Sequence, residues 1–102
     1  ARHHDLPLEF EERFIMAGID PDTVGRFLPK ELHKQLHGKG QTGWGRGGPL
    51  NFQWRTFFIT PAEDGGFDPS RAKESILEFN DIIRSLTADN KLPPPDAWRF
   101  QP

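Results

Sequence analysis

Apolar and polar positions alternate along the chain with a spacing that predicts four helices joined by turns and short extended pieces. From Pro7 to Ala17, the residues Leu8, Phe10, Phe14, Ile15 and Ala17 gather on one broad side, against Glu9, Glu11, Glu12 and Arg13. That is the pattern of an amphipathic helix, opened by Pro7 and stopped by Gly18. Ile19-Asp20-Pro21-Asp22 reads as a turn, and Val24 to Leu28 as a short extended run. Pro29 opens a second helix to about His37, ended by Gly38. Pro49 to Ile59 reads as a third, with Leu50, Phe52, Trp54, Phe57 and Phe58 mostly in the core and Asn51 near its start. Asp68-Pro69 is a cap followed by proline. The helix it starts runs to about Ala88, on a stripe of Ala72, Ile76, Leu77, Phe79, Ile82, Ile83 and Leu86.

Between these blocks the chain is irregular. Ala1 to Asp5 reads as extended, the end of a strand. Residues 38–48 hold six glycines among eleven positions, with Trp44 and Arg46 between them, and read as a flexible loop. Residues 61–67 read as loop. Residues 89–102, with three consecutive prolines before Trp98 and Phe100, read as an extended C-terminal arm that either folds back or frays. No internal repeat is present. The 102 residues suit a single domain, and a chain that opens on Ala1 with histidines almost at once reads as one excised from a longer protein.

Composition narrows the picture. Only 34% of residues are hydrophobic, but nine Phe and three Trp carry much of the available burial. With no cysteine, disulfides and thiolate metal sites are excluded. No apolar run is long enough to span a bilayer, so no membrane contact is expected of this domain. The net charge of −2 is unevenly spread: residues 1–25 carry −4, residues 26–60 carry +5 and residues 61–102 carry −3. The positive block, with Arg26, Lys39 and Arg46, is where a polyanion would find its contacts. Arg2 is a further candidate for a phosphate contact. Trp44 stacks on a base or packs on the third helix.

The candidate chemistry lies in the histidines. All four fall in two pairs, His3-His4 at the start and His33 with His37 in the second helix. Residues four apart on a helix share a face, so both imidazoles can reach one metal ion. A zinc protease needs Glu immediately after the first helical His; here Lys34 stands there. Structural zinc sites mostly use Cys, whereas three imidazoles with an open position suit catalysis. Imidazoles favour Zn²⁺ or Ni²⁺ in binding strength, while activity could equally run on Mg²⁺ or Mn²⁺. Asp5 is placed to orient a histidine or to begin a turn.

His3-His4, followed by Phe27-Leu28-Pro29-Lys30-Glu31-Leu32-His33-Lys34-Gln35-Leu36-His37, resembles the HNH, or ββα-metal, nuclease superfamily. With Ala17-Gly18-Ile19-Asp20 before it, the pattern is similar to the "xHH" C-terminal nuclease domains of bacterial polymorphic toxins and to myxobacterial lipoprotein toxins. The nuclease motif covers residues 3–37, and the toxin resemblance extends to about residue 88. The resemblance implies an α+β fold, a small ββα-metal motif with additional packing helices. It implies His3, His33 and His37 as metal ligands and His4 as the base that activates water, a task suited to imidazole near neutral pH. The sequence departs at one place: no Asn stands before Phe27, where the family has its central one. Asp22, Thr23 and Val24 are there instead, with Thr23 or Asp22 as partner for His4, and the roles of His3 and His4 are interchangeable.

The expected function is therefore metal-dependent hydrolysis of phosphodiester bonds, in DNA first. The resemblance adds a secreted or surface-delivered toxin domain acting in the target cell cytoplasm, and a cognate immunity protein as partner. A metal-dependent RNase and a non-catalytic zinc-stabilised interaction module are the alternatives.

Overall fold

A computed structural model describes the backbone of residues 2–4 and 6–102 and the side chains from residue 6 onwards. Strand β1, Arg2–His4, pairs antiparallel with β2, Gly25–Phe27, in a register that sets Arg2 opposite Phe27, His3 opposite Arg26 and His4 opposite Gly25. Between the strands lies helix α1, Glu11–Met16, entered through a 3-10 turn at Leu8–Phe10. A second 3-10 turn, Pro21–Thr23, precedes β2; Asp20 caps it by accepting the backbone N–H of Asp22. Leu28-Pro29 then leads from β2 directly into α2, Lys30–Leu36. Helices α3, Gly48–Ile59, and α4, Ala72–Leu86, complete the domain.

The domain is thus mostly helical. The α+β class expected from the sequence is reduced to two strands of three residues each, too short to form a layer of their own. The other differences are local. The first and last predicted helices both begin as 3-10 turns, the last at Pro69–Arg71, where Asp68 accepts from the Ser70 N–H. The segment 61–67 contains a 3-10 turn at Ala62–Asp64.

Helix α3 runs through the middle of the domain. Gly48, Pro49, Leu50, Asn51, Gln53, Trp54 and Phe57 are all buried, so it is covered on several sides rather than along one stripe. Trp54 is fully buried, meeting Phe14 of α1 edge-on at 5.3 Å and Phe79 of α4 at 4.9 Å; Phe57 stacks flat on Phe79 at 4.5 Å. Each aromatic ring removes a large apolar area from water, and these rings join α1, α3 and α4 into one core. Helix α4 is one-sided, with Ile76, Phe79 and Ile83 buried. On α2, Leu32 and Leu36 face inward.

The C-terminal arm folds back onto this core. Trp98 is buried, and Phe100 packs 5.8 Å from Phe79. Gln53 secures the arm: its Nε2 donates to the Phe100 carbonyl at 2.8 Å, and the Phe100 N–H donates to its Oε1 at 3.0 Å. One fully buried amide therefore satisfies both backbone groups of a residue 47 positions away. Gln53→Leu keeps the volume and leaves all these partners unmade. It should cost about 1–3 kcal/mol, read as a lower denaturation midpoint in urea. An unchanged midpoint would mean that the arm is held by its other contacts, those of Trp98, Arg99 and the Phe100 ring.

Candidate metal and nucleic-acid site

Helix α2 owes its length to its ends. Pro29 is its N-cap residue, with φ −56° and an extended ψ, and Glu31 near the N-terminus with Lys34 in the last turn complements the helix dipole. His33 lies in the last turn and His37 is the C-cap residue. Their rings meet edge to face, centroids 4.9 Å apart, both half-buried. The spacing of four thus brings together the two side chains that the sequence pointed to.

The end of α2 is clamped to the start of α3. A Cβ built on Gly48 would fall 2.4 Å from the Gly38 nitrogen and 2.6 Å from the His37 carbonyl carbon, so only glycine permits this approach. Gly47 lies just as closely over Asn51: its Cβ would fall 2.5 Å from the Asn51 Cγ. His37 is therefore held beside Gly47 and the buried Asn51.

Burial is the main influence on His37 and holds its pKa below the ordinary value; a second imidazole at His33 acts in the same direction. The Gly47 backbone and the Asn51 side chain oppose the shift by favouring the protonated ring. The neutral form wins, and neutral imidazole is the form that binds metal.

The cations of the positive block are mostly engaged. Arg26 on β2 donates to Thr87 Oγ1 at the end of α4. Lys39 pairs with Glu31 at 3.5 Å across an exposed surface. Arg46 reaches Glu9 at 3.3 Å, and Arg55 reaches the same carboxylate at 3.4 Å. Arg55 also donates to the carbonyls of Trp44 and Arg46. The glycine-rich loop, expected to be flexible, is pinned by these bonds, and Trp44 is buried edge-on against Phe52 at 5.3 Å. Trp44 packs in the core, and its ring is not offered to a base. Lys30 and Lys34, on the exposed side of α2, carry no ion pair among the described residues.

The strand histidines are placed by their backbone only. His3 and His4 lie on β1, paired with the strand that leads into α2; their side chains, that of Arg2, and Asp5 altogether lie outside the described residues. Among the described residues no third His, Asp or Glu joins His33 and His37. Thr23 donates its hydroxyl to the Asp20 carbonyl at 2.8 Å within the capped turn that also holds Asp22. Glu9 and Asn51 are the neighbours that sequence reasoning missed. Glu9 looked like one of several solvated acids on α1's polar side, and Asn51 like an incidental residue among aromatics. An amide inside a strongly apolar helix was the available signal.

No family model, curated protein or solved structure matches the chain. Among the described residues no helix is long and apolar enough to cross a membrane.

The lowered pKa of His37 makes stability depend on pH. The unfolded chain takes up a proton on this residue near pH 6.5, whereas the folded chain resists it. The stability that comes from keeping the ring neutral is present above that pH and is lost as pH falls toward the folded value. Melting temperatures measured from pH 8 to pH 5 should therefore fall more in the native chain than in His37→Gln. Parallel curves would contradict the burial argument.

Proposed function

We propose that this chain is a metal-dependent endonuclease that hydrolyses phosphodiester bonds, with DNA as its first substrate, through a ββα arrangement of β1, β2 and α2. The observation that carries the reading is the register of β1 on β2. It puts the strand bearing His3 and His4 one strand spacing, about 5 Å, from the segment that runs straight into the His33–His37 helix. Two neighbouring imidazoles, one with its pKa lowered by burial, suit a divalent cation in their donor chemistry.

In this reading His33 and His37, with His3, hold the cation. When bound it supplies Lewis-acid stabilisation of the scissile phosphate and of the leaving 3′ oxygen. His4 takes the proton of a water molecule as its oxygen bonds to phosphorus. The bond from phosphorus to the 3′ oxygen breaks, and that oxygen takes a proton from solvent. Lys30 and Lys34, without an ion pair among the described residues, offer positive charge to the flanking phosphates more freely than Lys39 or Arg46, which already face carboxylates. His3 and His4 exchange roles without altering the chemistry. As a toxin domain delivered into a target cell, the protein would meet its immunity partner on the acidic surface contributed by residues outside 26–60.

Supercoiled plasmid incubated with the purified chain should be nicked or degraded in the presence of a divalent cation. Cleavage should stop after chelation and return when metal is added back. DNA left intact by folded protein under Zn²⁺, Ni²⁺, Mg²⁺ and Mn²⁺ would remove the DNase reading, and cleavage of RNA alone would move the substrate to RNA.

A further inference from the structure

Every phenylalanine of the chain but one belongs to the core or packs against it. The exception is Phe27, the last residue of β2, which is 81% exposed. Its neighbours explain its direction. Arg26 turns toward the helices and donates to Thr87 at the end of α4, and Leu28 is buried. Successive side chains of an extended chain point to opposite faces, so Phe27 is turned outward between them. The chain around it is basic: from residue 26 to residue 39, Arg26, Lys30, Lys34 and Lys39 stand against Glu31, a net +3. Arg26 is bound to Thr87 and Lys39 to Glu31, whereas Lys30 and Lys34 carry no ion pair among the described residues. Both are exposed, and their spacing of four sets them on one face of α2, about 6 Å apart along its axis. Phe27 precedes Lys30 by three residues, within about 11 Å along an extended chain.

We propose that Phe27 is a stacking platform for an unpaired base, with Lys30 and Lys34 holding the phosphates next to it, so that this surface takes single-stranded or locally unpaired DNA. The inference rests on the nuclease reading and deepens it by naming the form of the substrate. The two features ask for one ligand. Lysines alone would hold the backbone of a duplex as well as that of a single strand, because the phosphate charge is common to both. A phenyl face adds a contact to any base, whatever its sequence, but only to a base whose own face is not already covered by its neighbours in a duplex. A purely apolar partner would cover Phe27 and bring nothing to neutralise the two ammonium groups beside it. A polyanion that carries aromatic bases satisfies both at once.

The test is fluorescence anisotropy with labelled oligothymidine and with a fully paired duplex of equal length, chelator being present so that no strand is cut. Phe27→Leu keeps an apolar side chain and removes the ring face; at so exposed a position the fold should tolerate it. Its affinity for oligothymidine should fall about five- to a hundredfold, while its affinity for the duplex stays that of the native chain. Phe27→Trp, which keeps a ring face, should bind oligothymidine at least as well as native. Lys30→Gln and Lys34→Gln should weaken both ligands, each lowering the salt slope for oligothymidine by about 0.7. A native chain that binds no oligothymidine, undiminished binding in Phe27→Leu, or an equal loss of duplex binding overturns the inference. Plasmid cleavage with metal is scored separately. Phe27-dependent binding of oligothymidine by a chain that cuts nothing keeps the inference and removes the nuclease reading; cleavage without such binding does the reverse.

Discussion

The approach of Gly48 to the end of α2 is the constraint from which the rest of the site follows. Backbone meets backbone there, with less than a side chain's space between Gly48 and the His37–Gly38 peptide. Because α3 is fixed in the core by Trp54 and Phe57, that approach transfers the rigidity of the core to a short helix. Seven residues of helix would be marginal alone. Docked in this way, α2 holds His33 and His37 with their rings edge to face, centroids 4.9 Å apart.

The charges around this junction serve structure before they serve a ligand. Glu9 gathers Arg46, Arg55 and the Asn51 amide, tying the glycine-rich loop to the turn before α1. Arg55 adds two backbone carbonyls of that loop. Exposed ion pairs contribute little each, but Glu9 is mostly covered and shared, so the group acts as a network. A segmental charge of +5 therefore overstates the free positive surface. Within residues 26–60 that surface narrows to the outer side of α2, at Lys30 and Lys34.

The helices were legible because their apolar spacing is strong, and Pro29, Gly38 and Asp68 mark their ends with specific chemistry. The His33–His37 pair was legible for the same reason: a helix converts a spacing of four into a shared face. The glycine loop was misread because composition reports conformational freedom, not the bonds that remove it. Its glycines adopt left-handed conformations, and two of them admit neighbours that a side chain would exclude. The fold of the arm depended on Gln53, a polar residue whose partner lies 47 positions away and leaves no local signal. Asn51 and Glu9 were hidden likewise, since their meaning comes from contacts across 42 residues.

The central claim is that the two histidine pairs form one site with unequal tasks. Calorimetric metal titrations of His3→Ala, His4→Ala, His33→Ala and His37→Ala test it most directly. His33→Ala and His37→Ala should each lose most of the metal affinity and the metal-induced rise in melting temperature. Of the two strand variants, one should lose affinity in the same way. The other, His4→Ala in the first assignment, should bind metal nearly as the native chain does while cleaving nothing. Equal loss of metal in all four variants would describe a closed imidazole site and contradict the catalytic account; undiminished binding in both strand variants would separate the pairs altogether.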